Sequence, residues 1–166
     1  MKEPVAFEDA VDLLDTDHKA VKMLFIEYAT LCEDGAAAAA KRMLAQTICQ
    51  ALTAHVQLEE EIFYPQVRRA IGDDDLMDDA LEEHAQAREV IARIQAFKPT
   101  DPKLDATVKQ LGVLIDEHVL EEREQIFLKA RLAQLDLRGM ALPLQKRRQQ
   151  LRQKNLESAE KGKVSA

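Results

Sequence analysis

Apolar side chains recur along this chain at steps of three and four, in four separate segments. From Phe7 to Glu33 the stripe is Val11, Leu14, His18, Val21, Phe25, Tyr28 and Cys32, which is one face of a helix. Asp34-Gly35 is a stop signal. A second segment starts in the Ala36–Ala40 run and carries Leu44, Ile48, Leu52, His55, Glu59 and Ile62. Pro65 is expected to end or kink it, because proline removes a backbone donor and clashes with the preceding turn. Gly72 and the Asp73–Asp75 run then supply a break and an N-cap. The third segment runs from Leu76 to Phe97, with Ala80 or Leu81, His84, Arg88, Ile91 and Ile94 near one face. After the two-proline linker Lys98–Pro102, the fourth runs from Lys103 to Leu132 on Leu104, Val108, Leu111, Ile115, His118, Glu122 and Ile126.

Four such helices with short connections predict an all-α fold, an antiparallel up-down-up-down four-helix bundle over residues 1–140. Residues 141–166 are expected to form a basic C-terminal tail: a short surface helix that frays into a disordered end. Composition agrees, since 5 Gly and 5 Pro are too few for the turns of an all-β fold.

Charge changes the picture at the C-terminus. Residues 145–166 hold seven Lys/Arg against two Glu, net +5, so the rest of the −7 chain carries −12. An acidic body argues against nucleic acid as a partner, which needs a basic face. The Lys146–Lys154 cluster reads as a solvated surface. Cys32 and Cys49 form no CxxC pair and read as buried thiols of a reducing compartment. The first ten residues lack an apolar core for a signal peptide, and no apolar run is long enough to span a membrane. These readings predict a cytoplasmic protein without membrane insertion.

The chain has 4 histidines, and each falls on the core stripe of a different helix: His18, His55, His84 and His118. Burying histidine without partners is costly, and it is the commonest metal ligand. Two of them open a His-x-x-x-Glu pair, His55 with Glu59 and His118 with Glu122. Residues four apart share a helix face, so each pair can aim an imidazole and a carboxylate at one internal point. Four imidazoles and two carboxylates exceed the usual four ligands of zinc. They suit two ions bridged by the carboxylates; the donor set favours iron, with manganese or zinc as alternatives. There is no HExxH, no Glu-x-x-His, no phosphate loop and no GxSxG.

The chain resembles the hemerythrin-like, or HHE cation-binding, domain family over residues 10–132. The resemblance rests on Asp17-His18, on the stretch His55-Val56-Gln57-Leu58-Glu59-Glu60-Glu61-Ile62-Phe63-Tyr64-Pro65, on Glu83-His84, and on His118 through Glu122. It implies a non-haem di-iron centre ligated by His18, His55, Glu59, His84, His118 and Glu122, with Glu59 and Glu122 as bridges. Oxygen-carrying members place two histidines one turn apart on the third helix. Here His84 stands alone between Ala80 and Arg88, which leaves one ligand position to solvent or an unassigned carboxylate. Arg88 is read as the partner of a nearby Glu, and Tyr28 and Tyr64 as core or rim residues.

The function expected is a di-iron protein that binds or reacts with oxygen, peroxide or nitric oxide. The alternatives are a non-enzymatic iron or oxygen sensor or iron store acting through a protein partner, and a structural bundle with a vestigial site.

Overall fold

The structure is a computed structural model that describes residues 7–164, with side chains through Ser158. Residues 1–6, read above for a signal peptide, and residues 165 and 166, expected to be disordered, lie outside the described residues. Helices run Ala10–Glu33 (α1), Ala38–Leu58 (α2), Tyr64–Ile71 (α3), Asp74–Ala96 (α4), Leu104–Glu121 (α5), Leu128–Leu132 (α6) and Leu137–Val164 (α7). Among the described residues there is no strand.

Local chemistry sets most of the boundaries. Asp9 caps α1 by accepting from the Asp12 N–H at 2.8 Å, and Asp73 caps α4 by accepting from the Leu76 N–H at 3.2 Å. Gly72 takes the left-handed conformation (φ 63°) that stops α3, where a side chain would be strained.

Pro65 neither ends nor breaks the second segment. A π-helical turn, Glu59–Phe63, joins α2 to α3 directly, and the Tyr64 N–H reaches back to the Glu59 carbonyl. The wider turn adds a residue just before the position whose donor Pro65 lacks, so the rod continues to Ile71. A second π turn, Glu122–Phe127, joins α5 to α6 in the same way.

The long rods pack in a ring: α1 on α2, α2 on α4, α4 on α5, and α5 on α1. Their apolar faces form two cores. One holds Leu13, Leu14, Leu58, Phe63, Val67, Met77 and Ile126; the other holds Val21, Ile48, Leu52, Ile91, Ile94, Leu104 and Leu111. On every rod the histidine lies in sequence between the residues of the first core and those of the second. The expected stripes are mostly buried, with two shifts. Ile62 is half-buried while Phe63 is fully buried, because the π turn advances the phase. Arg88 is exposed and Ala87 takes its core position. Cys49 is buried as expected, but Cys32 is only partly so; both are free.

The C-terminal segment differs from the short surface helix expected. α7 is 28 residues long and packs on α1 and α2. Leu137, Met140, Leu144 and Leu151 are buried in the first core. Their spacing of three, four and seven is one helical stripe, hidden in the sequence by the basic residues around it.

Candidate metal centre

The sequence places all six candidate ligands one heptad or less from buried apolar residues, and the fold brings all six to one place. Glu59 and Glu122 are fully buried; the four histidines are 2–6% exposed. His18 and His55 present their Nε2 atoms to each other at 3.0 Å, and His84 and His118 do the same at 3.2 Å. His18, His55, Glu59 and Glu122 offer donor atoms that all lie within 4.8 Å of one another; so do Glu59, His84, His118 and Glu122. The two groups share both carboxylates. A cavity of about 20 Å³, lined by the four histidines and Glu59 together with Val21, Leu52 and Ile115, has room for roughly one water-sized particle.

The outer nitrogens are held just as systematically. His18 Nδ1 lies 3.2 Å from Asp15, His55 Nδ1 3.3 Å from Asp17, His84 Nδ1 2.8 Å from Glu60, and His118 Nδ1 3.6 Å from Glu83. A carboxylate at Nδ1 fixes the ring and turns the Nε2 lone pair inward. Three of these carboxylates carry an arginine in turn: Arg123 on Asp15 at 2.6 Å, Arg148 on Asp17 at 2.7 Å, and Arg88 on Glu60 at 2.6 Å. Arg88 thus pairs with a glutamate, as its sequence reading holds.

The electrostatics call for cations. Burial pushes the imidazoles toward their neutral form, but the surrounding carboxylates push harder the other way. His55 rises to about 10 and His118 to about 11, and His18 and His84 also rise. Burial raises the Glu122 carboxyl, and bonds from His118 and His18 outweigh it and hold the group well below the usual range. Both Glu59 carboxylate oxygens, Glu122 Oε1 and His118 Nδ1 nevertheless make no hydrogen bond with proper geometry among the described residues. Unpaired buried carboxylate oxygens are expensive, and a bound cation removes the cost. The donor set, its inward aim and its orphaned oxygens all fit metal ions.

Tyr64 is the residue that sequence reasoning missed. Its hydroxyl donates to Glu122 Oε2 and stands 3.4 Å from both His84 Nε2 and His118 Nε2. It thus lies beside the lone His84, where solvent or an unassigned carboxylate is expected. Its ring stacks on His84 at 5.1 Å. The signal was its step of five from Glu59, which shares a face only when the helix widens into a π turn. Tyr28 stays outside the site; it is buried and donates to Asp105 at 2.7 Å.

An all-helical protein with a buried, carboxylate-sharing histidine cluster defines a class of metal-binding bundles. The hemerythrin HHE cation-binding domain model matches residues 9–130, and the chain belongs to that family. It is also similar to a protein described as a DNA nickase from Nostoc sp. (strain PCC 7120 / SAG 25.82 / UTEX 2576), with 30% identity over 120 residues. That match covers 72% of this chain and 33% of the relative, so the chain matches about a third of the relative's length. No solved structure matches the chain. No described helix is long and apolar enough to cross a membrane.

Proposed function

We propose that the chain is a non-haem di-iron protein that binds or reacts with a small molecule such as oxygen, peroxide or nitric oxide. The observation that carries this reading is the pair of two-histidine groups sharing Glu59 and Glu122. On this reading His18 and His55 would hold one ion and His84 and His118 the other, with Glu59 and Glu122 available to both. Imidazole with carboxylate suits iron, and manganese or zinc would use the same donors. When bound, two ferrous ions supply two electrons to a small ligand. The protein's own part is to hold the donors through the Nδ1 carboxylates, to exclude bulk water with the apolar cores, and to offer the Tyr64 hydroxyl as a hydrogen-bond donor at the site. The first core gathers the first turns of α1 and α4 with the ends of the two π-interrupted rods, which supports an antiparallel up-down-up-down order. Two free cysteines support a reducing, cytoplasmic setting. Elemental analysis of protein purified without oxygen, with its optical spectrum before and after air, tests the proposal. About two irons per chain and an air-induced change are expected; one zinc and no iron would overturn it.

The named activity of the relative motivates a second reading, cleavage of a phosphodiester. The same two ions would serve it in principle, but the cavity of about 20 Å³ leaves no room for a nucleic-acid strand. Arg147 and Arg148 of the basic helix are already tied to Glu61 and Asp17. We therefore favour the small-molecule reading. Supercoiled plasmid incubated with the iron- or manganese-loaded chain should stay intact; nicking that disappears in His118→Ala would reverse the preference.

A further inference from the structure

α7 lies outside the matched family domain, yet it reaches the metal centre. Arg148 Nη1 donates to Asp17 Oδ1 at 2.7 Å, and the other oxygen, Asp17 Oδ2, lies 3.3 Å from His55 Nδ1. His55 Nε2 in turn faces the centre, 3.0 Å from His18 Nε2 and 2.9 Å from Glu59 Oε1. The pair is well shielded: the Arg148 side chain is 14% exposed and that of Asp17 13%. The guanidinium also sits over the Phe7 ring, 4.9 Å from its centroid.

Resting on the di-metal reading, we propose that Arg148 is a positioning residue of the centre: through Asp17 it fixes His55 and so couples the docking of α7 to the metal ion held by His18 and His55. Three features carry this. A shielded carboxylate shared between an arginine and an imidazole has one oxygen for each, so the cation sets the angle at which the other oxygen meets His55. Between buried Leu144 and Leu151, α7 leaves a groove of about 440 Å³ against α1 and α2, lined by Asp17, Ala54, His55, Arg148 and Arg152. The ion pair is the polar tie at the edge of that groove. Asp15 and Glu60 receive their arginines from within the family domain, from Arg123 and Arg88. Among the described residues, only the His55 carboxylate takes its arginine from a helix beyond that domain. Coupling is reciprocal, so metal at that position also holds α7 in place.

The test uses the full-length chain with cobalt(II) as the probe. Arg148→Gln should weaken one of the two cobalt ions about tenfold or more, the usual cost of losing an outer partner of a ligating histidine, and shift its visible bands. Arg148→Lys should recover part of the loss. Arg147→Ala breaks the neighbouring tie of the same helix to Glu61 and should leave both affinities within about twofold. In the metal-free chain, the imidazole nitrogen signals of His55 should move in Arg148→Gln and not in Arg147→Ala. Equal weakening of both ions, or equal effects of the two arginine variants, would show that α7 acts only by general docking and would overturn the proposal. A wild-type chain holding two cobalt ions with Arg148→Gln unchanged refutes the coupling alone; a wild-type chain that takes up none refutes the metal reading and the coupling with it.

Discussion

At the residue scale, the site is a set of buried polar groups whose partners are incomplete, and each tie has its own consequence. Tyr64 gives Glu122 a hydrogen bond in a fully buried place. Tyr64→Phe keeps the ring and removes the donor. It should keep its helix content by circular dichroism and lose about 1.5–3 kcal/mol in denaturant unfolding, the range for a hydrogen bond to a charged group. Metal uptake should persist, since six donors remain; its complete loss would make Tyr64 an indispensable ligand.

Away from the site, Asp105 accepts from Tyr28 at 2.7 Å and pairs with Lys41 at 3.0 Å. Burial raises its carboxyl, but these two partners outweigh it and set the folded-state value below the ordinary 3.8. A depressed folded value stabilises the protein above the unfolded pKa and is lost as pH falls through the folded one. Asp105→Asn should therefore be less stable than the wild type at pH 7, and the gap should narrow steadily below about pH 4. Urea melts across that range measure it; a gap independent of pH would contradict the pairing.

At the scale of the element, the two π turns decide which residues follow the ligands into the core. In an α-helix, Glu59 would share a face with Ile62 and Phe63 and not with Tyr64; the extra residue lets both Phe63 and Tyr64 be buried. Inserting an alanine after exposed Glu61 would add a second extra residue to the turn, more than the π turn already absorbs, and rotate α3 by roughly 100°. Phe63 would then leave the core, at a cost of about 3–5 kcal/mol, the scale of losing a buried phenylalanine. Glu61→Ala, which keeps the count, should be nearly neutral, because it removes only a surface pair. Thermal melts of the two variants check this; similar losses would mean that the π turn is incidental.

The last helix makes a prediction opposite to the one its composition suggests. A dispensable tail could be removed at residue 145 without effect. In the structure the cut takes buried Leu151 from the core and Arg148 from Asp17. Truncation should cost at least about 1.5–3 kcal/mol for the leucine alone, and should loosen metal binding as well. A truncated chain as stable as the full one would support a domain boundary at residue 140.

For the whole molecule, the polar layer between two apolar cores makes folding and metal binding one equilibrium. Ligands that bind only the folded chain stabilise it by about 2.7 kcal/mol at a hundred times their Kd. A chelator should therefore lower the melting temperature and loosen the bundle. Acid should release the metal, because imidazole must be neutral to coordinate. Melting curves that coincide with and without chelator would argue that the cluster holds protons rather than metal ions.

The sequence by itself determined the helices, their core stripes, the family and the set of histidines and glutamates. Those follow from short-range rules: a period near 3.6, caps at Asp9 and Asp73, a stop at Gly72, and two His-x-x-x-Glu pairs whose spacing is legible without a fold. What only the tertiary structure decided depends on phase and on contacts between distant segments. The entry of Tyr64 into the site needs a π turn, which no α-helical periodicity anticipates. The carboxylates behind the histidines come partly from other helices: Asp17 serves His55 from 38 residues away, and Glu60 serves His84 from 24. The role of α7 was masked because its buried leucines stand among lysines and arginines. A local charge count reads that mixture as solvated surface, and only packing against α1 and α2 shows which side of the helix is apolar and which arginine turns inward.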